Sequence, residues 1–377
     1  MHIGINAHLL SFSSSYRGAG ISRYIRSLIS HLRQAGDEEY TVFLGDPNYP
    51  TEFSPNSSFH LNISKLPTVK PTVRILWEQL LLPIELARSG IDVLHSMGYV
   101  QPFACPRGSV VTVHDLSFVL FPNTFNNLNR IYLTLFTKSS VSRANKVIAV
   151  SENTKQDLIR LFGVPGEKID VVCHGTEDIF RPVENSAELE ALRRERGVPE
   201  KYVLFIGTLE PRKNVHTLIK AFAQVKKAGL PHKLVVGGAK GWLWSEIFAA
   251  VEQLHLEGEV IFPGYISLDE EPLWYNGADL FVYPSLYEGF GFPPLEAMSC
   301  GTPVITSNCS SLPEVVGDAG LLVDPTSSEH LAEAMLTVLT DPALAEEMRA
   351  KGLVRAKSFS WAEAARRTVS VYRSCLS

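Results

Sequence analysis

Tyr287-Glu288-Gly289-Phe290-Gly291-Phe292-Pro293-Pro294-Leu295-Glu296-Ala297-Met298 is the stretch on which the reading of this chain turns. Two glutamates stand eight positions apart, with two glycines between them and two prolines where a helix should begin. Proline is well tolerated in the first helical turn, so Glu288 falls on a loop and Glu296 near the start of a helix. Gly289 and Gly291, lacking a Cβ, let backbone N–H groups reach a phosphate or a sugar hydroxyl. A carboxylate accepts from both hydroxyls of a ribose diol, the logic that places an acid on a nucleotide ribose. A plain Gly-Pro turn with two exposed acids would not need the whole arrangement.

Outward from this stretch, short apolar runs alternate with helical patterns. In the first half, strands are expected at 2–7, 40–44, 92–95, 109–113, 146–150 and 169–172. Helices are expected at 21–32, 72–88, 126–143 and 152–161, with Pro83 kinking the second. Residues 46–58, rich in Pro, Asn and Ser, read as a loop. The stretch from Cys173 to about Pro199 changes character and marks a domain junction. The alternation then restarts. Strands are expected at 202–206, 233–237, 260–262, 280–283, 303–306 and 320–323. Helices are expected at 214–228, 243–254, 327–339, 343–357 and 361–372, the last with Ser360 at its N-cap. Such alternation predicts an α/β protein of two doubly wound halves, each a parallel sheet with helices on both faces. Ligands of such sheets sit at the carboxyl ends of strands.

Three further constellations fall at strand ends. Tyr16-Arg17-Gly18-Ala19-Gly20-Ile21-Ser22-Arg23 follows the first strand and opens the first helix. It can serve as a phosphate-binding turn, since glycines and a helix N-terminus favour an anion, or simply as a flexible loop. It lacks a full G-x-G-x-x-G, and no acid except Asp46 lies near the end of the second strand, which weighs against a dinucleotide oxidoreductase. Val113-His114-Asp115 closes the strand at 109–113. His114 there can hydrogen-bond a sugar hydroxyl or a carbonyl, with Asp115 orienting the ring. Gly207-Thr208-Leu209-Glu210-Pro211-Arg212-Lys213-Asn214 follows the first strand of the second half. Adjacent Arg212 and Lys213 suit a diphosphate, Arg as a fork and Lys as a point charge. A solvated basic turn is the plainer alternative.

Composition bounds the rest. The 377 residues are 45% hydrophobic and 20% charged, which excludes a disordered chain, a coiled coil and a collagen-like fibre. At roughly 100–200 residues per domain, two domains are expected. The net charge is −5, divided as 16 basic and 15 acidic residues over 1–180 and 19 and 25 over 181–377. A duplex-binding protein is usually basic, so nucleic acid is not an expected partner. No run approaches the ~18 apolar residues of a membrane span, and no secretory signal is visible in the opening Met1-His2-Ile3-Gly4-Ile5-Asn6. Five scattered cysteines without a C-x-x-C suggest neither a disulfide framework nor a zinc site, and fit a cytoplasmic, reducing location. Residues 72–87, with Trp77, Leu80, Leu81 and Leu82, read either as an interfacial helix at the inner face of a membrane or as an ordinary core-facing helix.

Taken together, these motifs resemble glycosyltransferase family 4, retaining nucleotide-sugar transferases of the GT-B fold. The resemblance rests on the E-x(7)-E of Glu288–Glu296 and on Gly207-Thr208 with Arg212-Lys213-Asn214. It extends to Pro284-Ser285, Gly301-Thr302-Pro303-Val304, Leu312-Pro313-Glu314-Val315, Asp318-Ala319-Gly320 and Phe359-Ser360-Trp361. It spans essentially the whole chain and is strongest over 200–325. It implies two Rossmann-like domains facing across a cleft. Residues 1–175 would form the acceptor-side domain, with the helix at 361–377 crossing back onto it, and 176–360 the donor domain.

The resemblance also implies roles. Arg212 and Lys213 would hold the donor diphosphate, with Gly207 and Glu210 beside them. Glu296 would bind the ribose, and Glu288 would face the donor sugar. Gly289, Phe290, Gly291 and Phe292 would offer backbone N–H groups. His114 would contact the sugar near its 6-hydroxyl, and Gly18 and Gly20 would lie beside the diphosphate. Many relatives carry an Arg directly after the strand-ending glycine; here Thr208 stands in that place, and Arg212 is the candidate to replace it.

The expected reaction moves a hexose from a nucleotide diphosphate sugar, UDP-glucose foremost and GDP-mannose next, to a saccharide or lipid-linked acceptor in polysaccharide synthesis. No Asp-x-Asp occurs in the chain, so no metal and no other cofactor is expected, with Arg212 and Lys213 supplying the cationic charge. A GT-B phosphorylase or epimerase, or a non-catalytic nucleotide-sugar binder, would share the architecture.

Overall fold

A computed structural model describes residues 1–12, 20–46, 48–183, 186–239, 241 and 244–376. It resolves into two units. One comprises Met1–Gly175 together with Ser360–Ser377, the other Thr176–Phe359.

The first unit holds a seven-stranded sheet, with β1 (His2–Asn6), β2 (Glu39–Leu44), β3 (Phe59–Ile63), β4 (Val93–Ser96), β5 (Gly108–Val113), β6 (Lys146–Ala149) and β7 (Ile169–Val171). The order is β3-β2-β1-β4-β5-β6-β7, and every pair is parallel. β1, β2 and β5 are nearly continuous runs of buried residues, as parallel strands covered on both faces must be. The helix Ile21–Ala35 lays Ile25, Leu28, Ile29 and Leu32 against this core. The last helix, Trp361–Ser374, packs against it. Arg373 there forks onto Glu38 Oε1 at 2.9 and 2.7 Å. Ser360 occupies the N-cap position of that helix but its side chain makes no capping bond.

The second unit repeats the plan with β8 (Tyr202–Ile206), β9 (Lys233–Gly237), β10 (Val260–Gly264), β11 (Leu280–Tyr283), β12 (Val304–Ser307) and β13 (Leu321–Val323). Its order is β10-β9-β8-β11-β12-β13, again all parallel. In both sheets the winding reverses beside the first strand, between β1 and β4 and between β8 and β11. At such a switch point adjacent loops diverge to opposite faces and leave a crevice.

Two expectations need correction. Phe59–Ile63 is an edge strand that followed the predicted loop unannounced; its alternation is weak, with only Phe59 buried. The helix expected over 72–88 is interrupted, but before Pro83 rather than at it. Pro71–Leu76 is helical, Trp77–Leu81 forms a π-turn, and Leu82–Ser89 resumes. Leu82 N–H reaches Trp77 O, one residue beyond the α-helical partner. The widened turn accommodates Pro83, whose ring would otherwise collide with the carbonyl four residues earlier. Within this segment Trp77 and Leu82 join the core with Phe43, Leu86 and Leu94, while Leu80 and Leu81 are exposed, so the four apolar residues singled out in the sequence divide between two faces. No helix among the described residues is long and apolar enough to cross a membrane.

One glycine is indispensable to the second sheet. Gly238, just past β9, has φ of +146°, and a Cβ on it would lie 1.9 Å from the Gly207 carbonyl oxygen. Gly238→Ala should therefore destabilise the protein by about 3 kcal/mol, read as a lowered urea midpoint. A midpoint equal to wild type would contradict this close approach.

Candidate active site

The loops after β8 and β11 meet at the switch point of the second sheet. After β8, the chain passes through Gly207 and a single 3₁₀ turn, Pro211–Lys213, to Asn214 in the left-handed conformation (φ 58°). Asparagine tolerates that conformation well. Its side-chain amide donates to Pro284 O at 3.1 Å and Pro325 O at 2.7 Å, tying the turn to two other strand-end loops. The turn thereby presents Arg212 and Lys213 to the loop after β11.

There they enclose one carboxylate. Lys213 Nζ donates to Glu288 Oε1 at 2.6 Å and lies 2.6 Å from the Tyr283 hydroxyl. Tyr283 and Ser285 also donate to Oε1, at 3.0 and 2.6 Å. Arg212 Nη1 donates to Glu288 Oε2 at 3.1 Å and to Tyr287 O at 2.7 Å, while its Nη2 donates to Glu210 Oε1 at 2.6 Å. Two cations thus face two carboxylates. Burial works to raise the Glu288 pKa, but Lys213 and Arg212 outweigh it and hold the carboxyl at about 2. Lys213 is itself pulled below the ordinary lysine value, first by burial and then by Arg212, with Glu288 opposing both.

The remainder of the stretch forms the lip of the site. Ser310 Oγ accepts from Glu288 N–H at 3.0 Å, and Ser311 Oγ donates to the carbonyls of Glu288 and Phe290. Gly291, at φ 130°, precedes the helix Phe292–Ser299; only glycine adopts that backbone readily. Pro293 and Pro294 carry no N–H, so Phe292 is the sole N–H donor among the first three residues of this helix. Glu296, on the second turn, is 1% exposed and accepts from the Tyr275 hydroxyl at 3.0 Å.

In the first unit His114 follows β5. Its Nε2 donates to Met97 O at 2.8 Å, which fixes the proton on Nε2 and leaves Nδ1 as the acceptor. Burial depresses its pKa to about 4, despite the Met97 bond and nearby Asp115. The imidazole is neutral at physiological pH. Tyr24 packs edge-on to the ring at 4.8 Å between centroids, and Tyr99 at 5.7 Å. Asp115 does not orient it by hydrogen bonding: its Oδ1 accepts from Ser117 N and Oγ at 2.9 and 2.7 Å and begins the short helix Ser117–Leu120.

Comparison with known proteins decides the family. Residues 190–354 match the model described as Glycosyl transferases group 1, and residues 18–178 match Glycosyltransferase Family 4. The O-antigen chain mannosyltransferase B of Escherichia coli is 32% identical over 371 residues, covering 95% of this chain and 97% of that protein.

The chain belongs to glycosyltransferase family 4.

A second relative, the O-antigen chain mannosyltransferase RfbU of Salmonella typhimurium, is 27% identical, covering 85% of this chain and 87% of that protein. Among solved structures, sucrose-phosphate synthase from Thermosynechococcus elongatus superposes with a TM-score of 0.78 at 25% identity, covering 100% of this chain and 99% of that one. A glycosyltransferase from Rickettsia africae shares the fold alone, at 17% identity and a TM-score of 0.73, with 100% and 98% covered. The enzyme is a glycosyltransferase of the GT-B fold.

Within this glycosyltransferase, the structure gathers Glu210, Arg212, Lys213 and Glu288 into one cluster, followed along the chain by Gly289, Phe290, Gly291, Phe292 and Glu296. Gly207 lies at the foot of the same loop. His114 and Gly20 belong to the other unit, and Gly18 lies outside the described residues. Glu210 holds the Arg212 fork rather than standing alone. Sequence reasoning missed Tyr283, Ser285 and Tyr275, the hydroxyls that complete the two glutamates. Tyr283 ends β11 and Ser285 lies three residues before Glu288, so position at a strand end was the available signal.

The Glu288 pKa carries a pH signature. It is depressed in the fold relative to about 4.3 in an unfolded chain, so the stability it confers is present above that value and is lost as pH falls towards 2. Glu288→Gln removes this titration. The stability gap between wild type and variant, from urea midpoints, should shrink by about 1–2 kcal/mol between about pH 5.5 and about pH 3.5. A gap that stays constant would contradict an ionised, cation-held Glu288.

Proposed function

We propose that this enzyme transfers mannose from GDP-mannose, with retention of anomeric configuration and without a metal ion, to a saccharide or lipid-linked saccharide acceptor in O-antigen-like polysaccharide synthesis. The observation that carries the reading is the Arg212–Lys213–Glu288 cluster at the carboxyl ends of β8 and β11. Mannose is favoured over the glucose of the first expectation because both relatives matched along most of their length bear the name mannosyltransferase.

The reaction separates charge: negative charge grows on the departing diphosphate and positive charge on the sugar ring. Arg212 and Lys213 are fixed in place before any donor arrives, and fixed dipoles and charges need no reorganisation as the transition state forms. A diphosphate reaching them would share these cations with Glu288 and Glu210. Glu288 itself, ionised and accepting from four donors, is a poor base and a poor covalent nucleophile. Its proposed role is electrostatic, facing the cationic sugar. The leaving diphosphate, with growing negative charge, would take the acceptor's proton on the same face. Glu296, oriented by Tyr275, is the proposed ribose ligand. His114 is the proposed partner of a sugar hydroxyl, its Nδ1 accepting.

Thermal shift against GDP-mannose, UDP-glucose and the free nucleotides tests the donor, with stabilisation by GDP-mannose expected. Product analysis by NMR in excess chelator should then show an α-linked mannoside formed at the uninhibited rate. Stabilisation by UDP-glucose alone, an inverted product, or activity lost in chelator and restored by magnesium or manganese would each overturn the corresponding part of the proposal.

Glu296→Ala should weaken donor binding roughly tenfold to a hundredfold by calorimetry, with Glu296→Gln, which keeps an acceptor for Tyr275, separating binding from folding. Lys213→Ala should lower kcat by roughly a hundredfold or more. Wild-type donor affinity and turnover in these variants would remove the site from this cluster.

A further inference from the structure

His8 follows β1 at the switch point of the first sheet, and no step of the proposed reaction uses it. It is 5% exposed, and its ring lies against the Trp77 indole with centroids 3.9 Å apart. Asn6, the last residue of β1, meets it from below. Asn6 Oδ1 accepts from the His8 backbone N–H at 3.4 Å and from ring Nδ1 at 3.2 Å. A backbone N–H can only donate, so the amide turns its oxygen to His8 and its Nδ2 to Glu78 Oε1, at 3.2 Å. The ring proton therefore sits on Nδ1, and Nε2 carries a bare lone pair. Burial, and then Arg74, hold the His8 pKa down at about 3, so the ring is neutral at physiological pH. Trp77 and Glu78 both belong to the π-turn Trp77–Leu81, so one widened turn sets the stack on the ring and the orientation of the amide. Such turns are rare and recur at functional sites.

The lone pair on Nε2 has no partner among the described residues, and neither has Oγ1 of the fully buried Thr68. Both border the place where a side chain at Gly45 would begin. A Cβ there would lie 2.4 Å from Thr68 Oγ1 and 3.2 Å from Cδ2 of His8, the carbon bonded to Nε2. Gly45, directly after β2, is not among the glycines at positive φ, so the space needs glycine there and the backbone does not. Leu9, Gly45 and Asp46 are half-buried, which puts the pair just beneath the surface at the carboxyl edge of the sheet. Burying polar atoms without partners is costly. A phenylalanine at position 8 would keep the stack on Trp77, and a valine at position 68 would keep the volume, both without that cost. What histidine and threonine add is an acceptor and a hydroxyl that border one gap.

We propose that His8 Nε2 and Thr68 Oγ1 read one hydroxyl of the saccharide acceptor, which donates to Nε2 and accepts from Thr68, with Asn6, itself held by Glu78, as the residue that positions the imidazole. A sugar hydroxyl is donor and acceptor at once, as this pair requires. A fully ionised phosphate has no proton to give Nε2, and a methyl group serves neither atom. His114, after β5 and beyond β4 in the same sheet, is the proposed partner of the donor sugar, so the two neutral imidazoles divide the two sugars between them. The inference rests on the reading of the enzyme as a transferase with a saccharide acceptor, and not on the identity of the donor.

Kinetics with methyl α-mannoside and its monodeoxy derivatives as acceptors, beside whichever nucleotide sugar thermal shift selects, tests it. One deoxy sugar should lose roughly tenfold to a hundredfold in kcat/KM with the wild type. His8→Phe, which keeps the ring stack, should raise the acceptor KM by a similar factor, erase the penalty of that same deoxy sugar and leave the donor KM unchanged. Thr68→Val should erase the penalty at the same hydroxyl. A histidine with a structural role alone would lower turnover on every acceptor in proportion and leave the penalty intact. Nitrogen NMR of histidine-labelled protein gives a readout without turnover. His8 Nε2 should resonate as a bare nitrogen and move upfield on saturation with methyl α-mannoside, and Asn6→Ala should spread the ring proton over both nitrogens. A wild type that turns over no donor would count against the transferase reading, and the nitrogen shift would then decide this one by itself. A protonated Nε2, a nitrogen unmoved by the sugar, or a deoxy penalty that His8→Phe leaves as it was would each overturn the proposal.

Discussion

Glu288 is gripped by Lys213 and Arg212, and the second unit is organised around that grip. It joins the loop after β8 to the loop after β11, two strands that are neighbours in the sheet but on opposite sides of its switch point. Burying charges is costly, and a buried ion pair is weak evidence for stability in itself. Here the cost is offset by unusually complete hydrogen bonding: Tyr283 and Ser285 add to the Lys213 bond on Oε1, Arg212 takes Oε2, and Glu210 steadies the other side of the guanidinium. The arrangement makes more sense as an electrostatic instrument than as a staple. Two cations are kept oriented, partly shielded from water, beside a carboxylate that stays ionised.

That design also explains the neighbouring backbone. The site needs loops that approach one another closely. Gly238 admits the Gly207 carbonyl, Asn214 takes a left-handed turn and bonds two loops, and Gly291 turns the chain into a helix that begins with two prolines. Because those prolines remove N–H groups from the first turn, the helix offers an anion less than its dipole alone would suggest. Side-chain cations therefore carry more of the proposed phosphate charge than the helix does.

Much of this was legible in the sequence. The alternation of apolar runs located, within a residue or two, twelve of the thirteen strands found among the described residues, because parallel strands buried on both faces read as unbroken hydrophobic segments. Phe59–Ile63, a half-covered edge, lacks that signature. The glutamates, Arg212 and Lys213 were legible because charged residues at strand ends need a reason to be there. Tyr283 and Tyr275 were not, since a tyrosine in an apolar strand or on a short buried helix looks like core until its hydroxyl is seen to meet a carboxylate. The mistaken role of Asp115 has the same origin: adjacency in sequence suggested a partner for His114, but an Asp-x-Ser turn satisfied the carboxylate locally.

The first unit applies a contrasting principle at His114. Where the second unit keeps its groups ionised by pairing them, this one keeps an imidazole neutral by burying it. A run of hydrogen bonds lies behind the ring: Tyr372 on the last helix meets His95 Nδ1 at 2.7 Å, His95 Nε2 meets Thr112 at 2.8 Å, and Thr112 meets the Tyr24 hydroxyl at 2.9 Å. Tyr24 in turn packs against His114. His95 is itself pushed to about 3 by burial, and secondarily by His114, so the run carries no charge at neutral pH. A protonated histidine beside a sugar acquiring positive charge would oppose the reaction. A neutral one, its proton committed to Met97 O and its Nδ1 an acceptor, can bind a hydroxyl without that repulsion. The last helix thus reaches, through four buried side chains, the ring that packs edge-on to His114.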